Sequence, residues 1–178
     1  MRNLKIKKYT LHILSLAAAN AEAFDLPKEK NAVICVADQT KDFTDHAFPE
    51  HVLVMPFRDV EDKNESGAFQ RAHARMIIRF LKKIGKDVTD LYVICSKGGS
   101  RSPAIAAAVL KMSGRSDKKV WQNPYYVPNI LVYKRLCLEC GLFFSALTVP
   151  IKRHINNRAF RKCKKNGGSE LERWELLF

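Results

Sequence analysis

The sequence predicts an α/β fold, a mostly parallel central sheet flanked by helices. Three observations predict it. Four short segments are apolar almost throughout, as strands covered on both faces must be. An amphipathic helical stretch separates the third from the fourth, the pattern of a crossover between neighbouring parallel strands. A Gly-rich turn after the fourth runs directly into an alanine-rich helix. With 178 residues, of which 47% are hydrophobic, the chain can bury one sizeable core.

The first strand is "YTLHILSL" (9–16), leading into a short helix, "AAANAEAF" (17–24). The opening imitates a secretory signal, with a basic start, an apolar centre and "ANAEA", but His12 and Ser15 interrupt the apolar segment. Strands two to four are "NAVICVAD" (31–38), "HVLVMPF" (51–57) and "LYVICS" (91–96). In "SGAFQRAHARMIIRFLKKIG" (66–85), Phe69, Ala72, Met76, Ile77, Phe80, Leu81 and Ile84 recur at helical spacing. Arg71, Arg75, Arg79 and Lys83 fall opposite. "SPAIAAAVLKMSG" (102–114) is a helix with Ser102 near its start, Pro103 in the tolerated first turn and Gly114 at its stop. A Pro-rich connector, "NPYYVPN", precedes another helix from Pro128 to Glu139. From Leu142 the pattern changes, so residues 1–141 are expected to form the main domain and 142–178 a basic C-terminal extension. Between Lys152 and Lys165 there are seven Lys or Arg and no acid. That run predicts an added element packed on the domain with a solvated basic face, able to contact an acidic partner, a membrane surface or nucleic acid.

The formal charge is +13, which favours anionic partners without selecting among them. Five cysteines, an odd number in a chain this long, are the pattern of free thiols in a reducing compartment, and a cytoplasmic location is expected. The pair Cys137 and Cys140 lacks the two further ligands that a structural zinc would need, so no metal and no cofactor are expected. No apolar run approaches the ~18 residues of a membrane span.

The chemistry concentrates in "VICSKGGSRSPA" (93–104). Gly98 and Gly99 allow a tight turn whose N–H groups point inward, and the following helix adds its positive end, so the turn from Ser96 through Lys97 and Ser100 is an anion cradle. Arg101 can hold two phosphoryl oxygens in a planar fork. Cys95 lies in the same field, where inward N–H groups, a helix terminus and a guanidinium would all favour thiolate over thiol. Cys95 would therefore attack phosphorus in line and form a phosphocysteine, and Ser102 could hydrogen-bond the sulfur and help it leave. The loop does not match the Walker A pattern. A leaving group needs a proton, and the loop after the third strand offers Asp59 first and Asp62 in reserve.

These residues resemble the signature of the cysteine-dependent protein tyrosine and dual-specificity phosphatase superfamily, Cys-x5-Arg followed by Ser or Thr. The similarity runs over residues 9 to 141. It is nearest to the compact bacterial and phage tyrosine-phosphatase-like proteins, in which a "YVPN" segment leads into a helix as "YYVPNILVYKRL" does here. The resemblance implies a tyrosine-phosphatase-like fold, Cys95 as nucleophile, Ser96 to Arg101 as the phosphate cradle, Ser102 as thiolate partner and Asp59 as general acid. Two features depart from it: Ile94 stands where most members have histidine, and the extension beyond Leu142 has no counterpart.

The expected function is metal-independent hydrolysis of a phosphomonoester, on a phosphotyrosine protein or a small phosphate ester, with inhibition by phosphate or vanadate. Tyr125, Tyr126 and Asn129 are candidate walls of an aromatic pocket. The competing classes are a catalytically weak phosphate-recognition module and a sulfur or arsenic redox enzyme using Cys137 or Cys140 as a second thiol.

Overall fold

A computed structural model describes residues 6–21, 30–37 and 51–167. The expectations for residues 22–24, Asp38 and the end of the chain beyond Gly167 lie outside them. The described residues form a four-stranded, wholly parallel sheet flanked by helices. Its strands are β1 (Thr10–Ser15), β2 (Asn31–Ala37), β3 (His51–Pro56) and β4 (Asp90–Cys95), in the spatial order β1-β4-β2-β3. Every residue of β2 is buried, as are five of the six in β4, which explains their unbroken apolar sequences.

One expectation is corrected by the strand order. The third and fourth strands are not neighbours, because β2 lies between them. A strand buried on both faces and along its whole length needs a partner on each side to satisfy its backbone, and β2 takes β4 and β3. The crossover from β3 to β4 therefore passes over β2. All four strands still end on one side of the sheet, with Cys95 level with Ser15 of β1 and Val36 of β2.

The larger core lies on the face formed by Ile34, Val36, Leu91 and Val93. The helices α2 (Arg71–Lys83) and α3 (Arg101–Met112) contact the sheet, and α5 (Ile130–Glu139) packs across both. The four alanines of α3, Ala104, Ala106, Ala107 and Ala108, are fully buried, and their small side chains let one helix touch both sheet and helix layers. Gly114, at φ +73, ends α3 in the left-handed conformation. On the opposite face Val33, Cys35, Tyr92 and Ile94 meet Ala19 of α1 (Leu16–Ala21).

α2 begins at Arg71, two residues after the first residue of the apolar periodicity, and its buried face is Ala74, Ile77, Ile78 and Leu81. Ala72 and Met76 turn to solvent. The same turns present Arg71 and Arg75 to Glu139 of α5, which fixes the rotation of the helix. Burial alone would raise the Glu139 carboxyl, but the two arginines outweigh it and hold the group below its usual range.

Beyond Leu142 the chain forms α6 (Phe143–Leu147) and α7 (Val149–Lys165), while α4 (Lys118–Gln122) precedes the connector. α7 packs on α4 through Asn156, which is wholly buried and donates to the carbonyls of Trp121, Asn123 and Tyr126 at 3.3, 3.2 and 2.8 Å. Lys152 reaches inward to Asp117 at 2.6 Å, over the faces of Trp121 and Tyr133. Among the described residues no helix is long and apolar enough to cross a membrane.

Candidate active site

The turn 96–100 leaves the end of β4 and enters α3 at the side of the sheet where all the strands end. Its single left-handed residue is Gly98, at φ +72. A Cβ there would stand 2.8 Å from the backbone N of Ser15, so this position requires both the conformational freedom and the missing side chain of glycine. The turn is anchored on three sides. Leu16 N–H donates to the Ser96 carbonyl at 3.4 Å, Val127 N–H to that of Gly99 at 2.8 Å, and Asn129 N–H to that of Ser100 at 3.3 Å.

Cys95 is 2% exposed, and its sulfur has two polar neighbours. Gly98 N–H donates to it at 3.2 Å, and Ser102 Oγ lies 3.1 Å away. Arg101, the first residue of α3, is 3% exposed. Its Nη1 donates to the Phe57 carbonyl at 2.6 Å and its Nη2 to Ser96 Oγ at 2.9 Å, so the guanidinium is fixed back over the turn. Lys97 is half-buried.

The two candidate acids are separated by the structure. Asp59 accepts from Ser100 Oγ at 2.9 Å and from Asn129 Nδ2 at 2.8 Å, and its second oxygen lies 3.9 Å from Arg101 Nε. Its carboxylate therefore rests on the cradle although β2 intervenes between β3 and β4. Asp62 accepts from Asn64 N–H at 2.9 Å and serves its own exposed turn.

Asn129 occupies a different position from the pocket wall expected of it. It is 1% exposed, and every polar atom of its side chain is used. Nδ2 also donates to the Val60 carbonyl at 3.1 Å, while Oδ1 caps α5 by accepting from Val132 N–H. One side chain thus joins the acid loop to the start of a helix. The visible signal was Asn at a helix start, which predicts the cap but not the acid held by the spare amide. Tyr125 is exposed, and Tyr126 is half-buried with its carbonyl bound to Asn156.

The remaining thiols differ from Cys95 in their surroundings. Burial pushes Cys35 up to about 12, with the charge of Cys95 adding to the rise and Arg101 opposing it. Cys35 lies with the opposite face of the sheet, beside Ile94, which fills that second core. Cys137 and Cys140 are also pushed up to about 12, chiefly by burial. All three therefore stay protonated at neutral pH.

A groove of about 540 Å³ is lined by the acid loop at Glu61 to Lys63, by Ile130 and by Leu147, and it includes neither Cys95 nor Arg101. The polar groups meet at this turn: a buried thiol and a buried guanidinium at its two ends, and the Asp59 carboxylate reaching it from the loop after β3. No protein-family model matches this chain, and no curated protein matches it.

Proposed function

We propose that the chain is a metal-independent phosphomonoesterase that works through a phosphocysteine on Cys95, with phosphotyrosine protein as its substrate class. The observation that carries this reading is the convergence on one turn of Cys95 Sγ, held by Gly98 N–H and Ser102 Oγ, with the buried Arg101 guanidinium. A phosphoryl group seated there would receive charge-assisted hydrogen bonds from Arg101 and from the turn, which supply the positive charge that the transition state needs.

In the first step the Cys95 sulfur bonds to phosphorus as the ester bond breaks, and the proton on Asp59 passes to the departing oxygen. In the second step Asp59 takes a proton from water, whose oxygen bonds to phosphorus. The sulfur–phosphorus bond breaks, inorganic phosphate leaves, and the thiolate is stabilised by the Ser102 hydroxyl. Asn129 and Ser100 orient the Asp59 carboxylate between the steps.

The test is hydrolysis of a small aryl phosphate across pH 5 to 8 with EDTA present. Cys95→Ser is expected to abolish turnover, Arg101→Lys to lower it by about 10²–10³, and Asp59→Ala to lower it by about 10²–10⁴. Asp62→Ala is expected to leave the rate near wild type. Absence of turnover in wild type, with phosphate still protecting Cys95 from alkylation, would instead assign the site to phosphate recognition.

A further inference from the structure

We propose that the outward face of α6 and α7 binds an anionic lipid surface, lying on the bilayer without crossing it. Four large apolar side chains project from this corner of the fold. Phe144 is 81% exposed, Leu147 75%, Ile151 62% and Phe143 50%. Phe143, Phe144 and Leu147 belong to α6 and Ile151 to the first turn of α7, and only Thr148 separates the two helices. A cluster of this kind marks an interaction surface rather than scattered exposure.

The second observation is charge. From Cys140 to Ser169 the sequence contains no acid. Of the seven cations on α7, Lys152 and Arg153 are engaged inward by Asp117 and Glu61. Arg158, Lys162 and Lys165 are exposed. At about 100° per residue they lie within about 60° of Ile151 around the helix axis. Asn156 faces the other way, into the domain, and fixes that rotation. The outward face therefore carries an apolar end followed by a row of cations, the composition of a helix that rests at a membrane interface with its basic groups among anionic headgroups.

Lipid suits this face better than the alternatives. Nucleic acid would use the cations but leave Phe144, Leu147 and Ile151 without apolar contact. A second copy of the chain, related by a two-fold axis, would bring one cationic row against another.

The experiment is co-sedimentation of the full chain with vesicles of phosphatidylcholine plus phosphatidylserine, and with vesicles of phosphatidylcholine alone. Binding is expected only to the anionic vesicles and is expected to weaken with salt. The triple variant Arg158→Glu, Lys162→Glu, Lys165→Glu should reduce affinity on the order of a hundredfold. Phe144→Ser with Leu147→Ser should reduce it separately, and both variants should keep the wild-type circular dichroism spectrum, with at most a small fall in melting temperature, because all five positions are exposed. The proposal is overturned by absence of binding to anionic vesicles, or by binding that neither variant weakens. It is equally overturned by wild-type dimerisation that the Ser variant abolishes without change in vesicle binding. Single-stranded RNA that binds more tightly than the vesicles and ignores the Ser variant would assign the face to nucleic acid.

Discussion

Asn129 shows how much of the site depends on one side chain. Its amide nitrogen donates to Asp59 and to the Val60 carbonyl, its Oδ1 caps α5, and its backbone N–H donates to the Ser100 carbonyl. Removing the amide should therefore have two separable effects. Asn129→Ala is expected to cost about 1–2 kcal/mol through the lost cap, and to lower kcat more than it changes KM because the acid is no longer held in place. Asn129→Ser should restore part of the cap, read as partly recovered melting temperature, without restoring kcat, since it lacks the amide that donates to the Asp59 carboxylate. Equal loss of kcat and melting temperature in both variants would show a purely structural role.

At the scale of the element, the start of α2 depends on pH. Gln70 N–H donates to His73 Nδ1 at 2.9 Å, so the imidazole does the work that Glu or Gln does in a capping box. The ring lies against Phe57 and Phe69. Burial, then the charge of Arg135, lowers its pKa from the ordinary 6.5. A histidine lowered on folding adds stability that is fully present above the unfolded value and is lost as pH falls through the folded one. The melting temperature is therefore expected to drop on acidification below about 6.5 more steeply in wild type than in His73→Gln, which accepts the same bond without titrating. Parallel curves would remove His73 from the account. Asp90, lowered by its bonds to Thr89 and His12, acts only below its ordinary 3.8 and does not confuse this window. The element scale is also where sequence periodicity read least well. Ala72 and Met76 fit the apolar pattern of α2, but the demand of Glu139 for Arg71 and Arg75 turned them outward.

On the scale of the whole molecule, α7 is held to the domain by a buried polar network. Asp117 is 5% exposed and accepts from Trp121 Nε1, Tyr133 Oη and Lys152 Nζ at 3.1, 2.7 and 2.6 Å. Taking one partner from such a pair leaves an uncompensated charge, so Asp117→Asn is expected to cost about 3–5 kcal/mol. Lys152→Met, which leaves the buried Asp117 charge with only its two neutral donors, should cost a comparable amount. In the double variant the losses should not add, because the interaction is counted once. Urea unfolding followed by fluorescence of the two tryptophans and by far-ultraviolet circular dichroism checks this. A separate early transition in wild type, confined to helix signal, would show that α7 unfolds independently of the sheet.

The sequence by itself determined the parallel α/β class, the positions of the four strands, and the turn from Cys95 to Arg101. These are local properties: unbroken apolar runs demand burial on both faces, and glycine before a helix start supplies the left-handed residue that a tight strand-to-helix turn needs. Only the tertiary structure decided that β2 separates β3 from β4, and that Asp59 rather than Asp62 meets Ser100 and Asn129. It alone turned Lys152 and Asn156 inward while leaving Ile151 and Arg158 facing out. Those outcomes depend on which distant backbone groups and charges compete for the same partner, and the spacing of residues along the chain does not encode that competition.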